Sequence, residues 1–423
     1  MGSHLRLGGR RLVDTDAARD AKLWYEESWD PDRSVGAWFR LMYESGWGYP
    51  TWPLARGGKG LSIAQAKEVR AARRAVGALG PPSGIGPSLL APMLFQHGND
   101  EQCDRLLRGM AYQGITVCQM LSEPDAGSDL ASARTAAVRD GSEWRITGTK
   151  IWTSNVSIVD YGMLLARTNW DAPKHRGLSF FLCPAKQDGV EARPIKQMNG
   201  RAEFNLVHFN DAVVDQADML GGEGEGWAVA RTFLRYEKNS FNPAAHEGGP
   251  FGAVDLAAPA GDLVVKLPGA GSGQIRGNRG VRGVLDGLVG SFDRGDDLAV
   301  RQDLARLYTM RSMMNYTNSR MRSGSAPGFE GPISKLTVSM ITRLQRDLGL
   351  RVQEAAGMLI GEDAPSAAFQ EFALSSPSTS IAGGTDEIQK NHLAEKVLGL
   401  PREPVLDQDA PFRDIAHGAA TWE

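Results

Sequence analysis

The sequence predicts an α+β protein: an N-terminal helical domain over residues 1–115, a middle β-domain over 116–220 and a C-terminal helical bundle over 221–423. Three observations predict it. Polar and apolar residues mix at helical spacing in the first and last parts of the chain. Between them they form short, often alternating runs separated by Gly, Asp, Asn or Pro. At 423 residues the chain has material for two or three packed units, and it shows no internal repeat.

The helical spacing places N-terminal helices at 17–28, 35–45, 63–76, 87–97 and 99–110, with a Gly- and Pro-rich turn at 46–53. The texture changes near 115. Strands are expected at 115–121, 136–139, 143–147, 161–167, 178–183, 190–194 and 205–210, as hairpins of a small sandwich or barrel. A helix follows from Trp227. Residues 242–286 hold many glycines and several prolines without a clear helical period, and are expected to be irregular. Helices resume at 297–322, 333–360, 366–373 and 385–398.

Composition excludes several classes of function. With 42% hydrophobic and 23% charged residues the chain is ordinary for a globular protein. A net charge of −3 argues against a nucleic-acid binder. Arg70, Arg73 and Arg74 lie at helical spacing and read as a solvated face. Cys103, Cys118 and Cys183 show neither metal-ligand spacing nor an even disulfide framework, which fits a reducing cytoplasm. No apolar run is long enough to span a bilayer, and Met1-Gly2-Ser3-His4 does not read as a signal peptide. A cytoplasmic location is therefore expected.

Two glycine-rich loops carry no dinucleotide site. In Gly269-Ala270-Gly271-Ser272-Gly273 the third glycine of a Gly-x-Gly-x-x-Gly pattern would fall on Gln274, and no helix N-terminus follows. Gly222-Glu223-Gly224-Glu225-Gly226 reads as a turn before the Trp227 helix. The seven histidines are scattered, and no metal site is expected.

Three segments carry chemistry. The first runs Gln119-Met120-Leu121-Ser122-Glu123-Pro124-Asp125-Ala126-Gly127-Ser128; its small residues let backbone N–H groups approach a phosphate or a flavin edge. The second, Ile146 to Ser154, holds Trp152 and Thr153. Trp152 offers a flat polarisable face and Thr153 a hydroxyl; the plain alternative is that Trp152 belongs to a β-domain core. The third, Ile381-Ala382-Gly383-Gly384-Thr385-Asp386-Glu387-Ile388-Gln389, continues to Gly399. Besides these, Ala230, Phe233, Leu234 and Glu237 share one helical stripe, whereas Arg231, Arg235 and Lys238 share another. Burial of a carboxylate on the apolar stripe would raise its pKa and suit it to accept a proton from carbon. On the residues alone, Glu237 also fits an ordinary ion pair near a helix end.

The three segments, in this order and spacing, resemble the acyl-CoA dehydrogenase family over nearly the whole chain except about 242–290. The resemblance implies that family's α+β fold, FAD as cofactor and α,β-dehydrogenation of an acyl-CoA thioester. By this resemblance Gln119, Met120, Leu121, Ser122, Gly127, Ser128, Trp152, Thr153, Thr385, Asp386 and Glu387 contact FAD. Ser128, Lys238 and Gly384 face the substrate. The usual Tyr-Glu-Gly-Thr turn, whose Glu is the base, reads Ala382-Gly383-Gly384-Thr385 here. A branch similar to isovaleryl-CoA and long-chain dehydrogenases has a glycine at that turn and its base on the helix, which implies Glu237 as base, with the Gly383 backbone N–H facing the thioester oxygen.

An electron-transferring flavoprotein is the implied acceptor, and a homo-tetramer or dimer the implied assembly, because the Thr385 region reaches FAD of a neighbouring subunit in the family. The carrier is CoA or an acyl-carrier protein. The family's Arg-x-x-Phe-Gly after the base helix has no counterpart, and its arginine next to the helix base is Lys238 here. Two other readings remain: a flavin monooxygenase on the same fold, which needs no base, and a non-catalytic subunit of a heteromeric dehydrogenase.

Overall fold

The computed structural model describes residues 16–240, 249, 250, 252–266, 277–322, 330–402 and 409–415. Met1-Gly2-Ser3-His4 and the glycine loop at 269–273 lie outside these residues.

The N-terminal part is helical: α1 (Asp16–Ser28), α2 (Val35–Ser45), α3 (Ile63–Val76), α4 (Ala91–His97) and α5 (Asp100–Tyr112). Local chemistry sets their ends. Ser62 and Gln65 form a reciprocal capping box on α3, and Asn99 and Gln102 form another on α5. The expected helix at 87–97 is split. Pro87 and Pro92 lack N–H donors, and the chain passes through a π turn at Gly86–Leu90 in which the Ala91 N–H reaches the Gly86 carbonyl before α4 begins.

The middle part is one sheet: β1 (Val117–Met120), β2 (Ala136–Asp140), β3 (Glu143–Ser154), β4 (Tyr161–Arg167), β5 (Leu178–Pro184), β6 (Val190–Ile195), β7 (Phe204–Asp215) and β8 (Met219–Leu220). Its order is β6-β7-β3-β2-β4-β5-β8, with β1 parallel to β4. One face is closed by a core of its own around Trp144, Ile146, Leu164, Phe181 and Val214. The β4 and β5 residues Met163, Leu165, Phe180 and Leu182 instead share a core with α4, α5 and α6 (Gly226–Ser240), where Leu94, Leu106, Val229, Ala230 and Phe233 are buried. That shared core fixes α6 against the sheet.

The C-terminal part comprises α7 (Ala260–Lys266), α8 (Gly277–Ser291), α9 (Leu298–Arg322), α10 (Glu330–Gln353), α11 (Ala367–Ser375) and α12 (Asp386–His392). Here the structure corrects the sequence reading. The stretch expected to be irregular carries α7 and most of α8. Val281, Leu285, Leu288 and Val289 are buried at helical spacing, but Gly280, Gly283, Gly287 and Gly290 interleave them and weaken the local signal. The expected 333–360 helix ends at Gln353 and tightens into a 3₁₀ turn at Glu354–Met358. The arginine cluster also differs from expectation: Arg70 and Arg73 are buried on α3 rather than solvated. Their guanidinium groups lie on the packed face with Ala66 and Val69.

Candidate active site

The loop after β1 is built on one buried ion pair. The Lys150 ammonium, fully buried on β3, lies 2.8 Å from Glu123 Oε1 and donates to the Leu121 carbonyl at 2.9 Å. The Glu123 carboxylate also accepts the Arg134 and Thr135 amides at 2.6 and 2.8 Å. Burial pushes the Glu123 carboxyl up. The Lys150 charge and these donors outweigh burial and hold it below the usual carboxylate range. The Ile151 N–H adds a bond to the Ser122 carbonyl at 2.9 Å. Loop 121–128 and strand β3 are thus one unit, and Gln119, Met120, Leu121, Ser122, Trp152 and Thr153 come together on it.

A bulge in β3 aims its side chains. The register with β7 shifts between Lys150 and Thr153, and Trp152 sits at φ 63° with 53% of its surface exposed. A bulky residue there is a backbone outlier, held by its surroundings. The ring is braced only edge-on by Phe204, with 6.0 Å between centroids. Thr153 turns inward and is fully buried; among the described residues its Oγ1 has no hydrogen-bond partner. Met120 is fully buried in the sheet core, paired with Leu164 across β1 and β4, and Leu121 is nearly so, so of these residues Gln119 and Ser122 are the more open. Gly127 and Ser128 are exposed at the loop tip, and a Cβ on Gly127 would meet nothing within 4 Å.

A cavity of about 180 Å³ opens beside this unit. Gln119 and Ser154 supply polar groups to it, and Ile85, Met110, Val117 and Val159 line it. The β3 hydroxyl that faces the cavity is therefore Ser154, one residue beyond Thr153. Sequence reasoning had Ser154 inside its motif but gave it no role; strand alternation after a bulge is the signal that finds it. Glu123 and Lys150 also lie inside these segments without a role that sequence reasoning assigns. An isolated lysine inside a strand of buried residues is the signal for their pairing.

Glu237 lies elsewhere on the shared core. Ala230 and Phe233 are fully buried on α6, and Leu234 and Glu237 follow half-buried, so the helical stripe is as the spacing predicts. Glu237 does not line the 180 Å³ cavity. Lys238 follows in α6, and its side chain lies outside the described residues.

The third segment folds as a turn on the C-terminal bundle. Gly383 and Gly384 adopt φ 67° and 88°. Thr385 caps α12, its hydroxyl accepting the Ile388 N–H at 3.2 Å. Asp386 is buried and bonded to Arg343 of α10 at 3.0 Å, with Lys335 nearby. Burial pushes its carboxyl up, but Ser339, Arg343 and Lys335 hold it below its usual range. Glu387 is exposed. The polar contacts of this turn run to α10 and within the turn itself. Gly383, Gly384, Thr385, Asp386 and Glu387 thus form a group of their own on the C-terminal bundle.

Known proteins give this arrangement its context. Residues 4–113, 118–212 and 294–398 match the family models described as acyl-CoA dehydrogenase N-terminal, middle and C-terminal domains. The acyl-CoA dehydrogenase IpdE1 of Mycobacterium tuberculosis is 33% identical over 372 residues, covering 87% of this chain and 88% of its own. The chain belongs to the acyl-CoA dehydrogenase family. In fold it is similar to the steroid acyl-CoA dehydrogenase Tcur3481-Tcur3483, with a TM-score of 0.65, 22% identity and coverage of 91% of this chain and 97% of that one. The ChsE4-ChsE5 complex of M. tuberculosis gives a TM-score of 0.65 at 23% identity, covering 94% of this chain and 100% of that one.

Acyl-CoA dehydrogenases are FAD-dependent, and the residues here fit such a group. An exposed indole held in a costly conformation, a strand hydroxyl, Ser154, at the cavity and an open glycine loop are features that a bound flavin would account for. No helix among the described residues is long and apolar enough to cross a membrane, and none of them form a cluster suited to a metal ion.

Proposed function

We propose that this acyl-CoA dehydrogenase binds FAD and introduces an α,β double bond into an acyl thioester, with Glu237 as base. One observation carries the reading: Glu237 lies half-buried on the helical stripe of α6 that buries Ala230 and Phe233, while the C-terminal turn offers only glycine backbone at 383 and 384. The Gln119–Ser122 backbone, the Gly127 and Ser128 loop, Trp152 and Thr153 hold the flavin. Thr385, Asp386 and Glu387 do so from a neighbouring subunit. Bound FAD supplies the hydride acceptor at N5. The Glu237 carboxylate takes the α-proton. The Gly383 N–H donates to the thioester oxygen as negative charge develops there. Ser128, Lys238 and Gly384 position the thioester, carried by CoA or an acyl-carrier protein. An electron-transferring flavoprotein is the proposed oxidant of the reduced enzyme. Cys103, Cys118 and Cys183 are free and buried, which suits a cytoplasmic enzyme.

The test is anaerobic flavin bleaching by a panel of acyl thioesters. Purified protein should be yellow, and a good substrate should bleach it. Glu237→Gln preserves shape and should keep the flavin while slowing bleaching by at least about 10²-fold, the lower end of what a positioned base supplies. Wild-type bleaching rates in that variant would place the base elsewhere.

A second reading has its own support. Asp386 is engaged with α10 rather than presented outward, and two similar folds come from assemblies whose names join two different chains. The chain would then be one half of a heteromeric dehydrogenase. Protein that holds FAD only when co-expressed with a second acyl-CoA dehydrogenase chain would establish this.

A further inference from the structure

Residues 249, 250 and 252–259 cross the N-terminal helices as a strap. At one end the Ser83 hydroxyl donates to the Gly249 and Pro250 carbonyls at 2.9 and 3.1 Å, and the Ser83 N–H donates to Pro250 at 2.9 Å. Gly249 presses so close that a Cβ on it would stand 1.8 Å from the Pro81 carbonyl oxygen. At the other end the Gly36 N–H donates to Leu256 and the Val35 N–H to Ala258, each at 2.9 Å, and Ser34 pairs with Pro259. Both ends of the strap are therefore clasped to the N-terminal domain.

Between its clasps the strap walls the cavity. Pro250, Ala253, Val254 and Leu256 line it, together with Gln119 and Ser154. Val254 and Leu256 also pack on the N-terminal core, which holds this wall in place. The cavity is thus mainly apolar, with polar groups from Ser83, Thr116, Gln119, Ser154 and Asn155 and an apolar wall from the strap. Its volume of about 180 Å³ is close to that of a 150 Å³ apolar cavity known to bind benzene.

We infer that the strap sets the acyl specificity of this enzyme: Ala253 and Val254 wall the cavity, which takes the part of the acyl group remote from Glu237, and select a compact, ring-sized acyl group over a long straight chain. The inference rests on the acyl-thioester reading of the site. It assigns a specificity role to a stretch outside the family-matched segments.

The experiment compares cyclohexanecarbonyl-CoA, octanoyl-CoA and palmitoyl-CoA as substrates of the full-length flavoprotein. The wild type should favour the ring thioester over palmitoyl-CoA in kcat/KM by at least about ten-fold, within the discrimination a hydrophobic pocket supplies. Val254→Ala should move that ratio toward palmitoyl-CoA by about ten-fold, through KM more than kcat. Ala253→Trp should raise KM for the ring thioester by a similar factor. Ser83→Ala removes the hydroxyl clasp at a residue that also lines the cavity and should move the ratio in the direction of Val254→Ala. Retained flavin and an intact melting transition confirm folding of each variant.

An unchanged ratio in both wall variants overturns the inference, as does a wild type that prefers palmitoyl-CoA. The melting-temperature rise given by each thioester reads binding without turnover. If no thioester bleaches the wild type, the dehydrogenase reading falls. The strap is then judged by whether the wall variants reorder those melting shifts.

Discussion

Glu123 accepts the Arg134 and Thr135 amides and the Lys150 ammonium, so the geometry of loop 121–128 depends on its charge. Its carboxyl is held below the ordinary range in the fold, and an unfolded glutamate titrates near 4.3. The stabilisation is therefore fully present above about pH 4.3 and is lost as pH falls through the lower folded pKa. Urea denaturation across pH 3 to 6 should show this loss in the wild type, and Glu123→Gln should flatten it. Lys150→Met leaves the carboxylate buried and unpaired. It should cost about 3–5 kcal/mol and loosen the flavin, because the same lysine tethers the Leu121 carbonyl. A Lys150→Met protein of wild-type stability would show that the pair does not hold the loop. The sequence contained both residues, but not their meeting. Twenty-seven positions separate them, and only the parallel pairing of β1 with β4 and the fold of β3 across the loop bring them together. Glu237 is the opposite case. Its place on the stripe of Ala230 and Phe233 follows from the 3.6-residue period within one helix, and so was legible without tertiary structure.

At the scale of elements, α8 shows why local pattern fails. Its buried valines and leucines make a sound stripe, yet glycine costs roughly 1 kcal/mol per position in a helix, and several interrupt it. The helix forms because burial against α9 and α10 supplies what propensity does not. Gly283 and Gly287 are exposed, lie in ordinary helical backbone, and a Cβ on either would meet nothing within 4 Å. Gly287→Ala should therefore stabilise the protein by about 0.5–1 kcal/mol, read as a higher melting temperature. A destabilised variant would mean that the exposed face of α8 is covered in the working assembly. The π turn before α4 was hidden for a different reason. Pro87 and Pro92 are each tolerated near a helix start, and their combined effect on phase is decided by the packing of Leu89, Leu90 and Leu94 into the shared core.

Across the whole molecule the order of helices, sheet and helices was legible, because each part repeats one period over many residues. Surface roles were not. Arg70 and Arg73 looked like solvated charges and are buried, since a side chain's neighbours on other elements are invisible to spacing. The C-terminal bundle shows the converse. It leaves Tyr308, Met313 and Tyr316 of α9 at 66%, 61% and 72% exposure, and Met358 and Ile360 at 79% and 71%. We take these side chains as a candidate interaction face. It coincides with the domain that carries Thr385, Asp386 and Glu387, the residues proposed to reach a neighbouring subunit's flavin. The chain should therefore run in light scattering as a dimer or tetramer, or pair with a second dehydrogenase chain. Tyr316→Glu together with Met313→Lys should shift the assembly to lower mass and lower flavin content together, because the flavin contacts in trans would be lost with the interface. A monomer that retains a full complement of FAD would separate the exposed face from the cofactor site and remove the argument for contacts in trans.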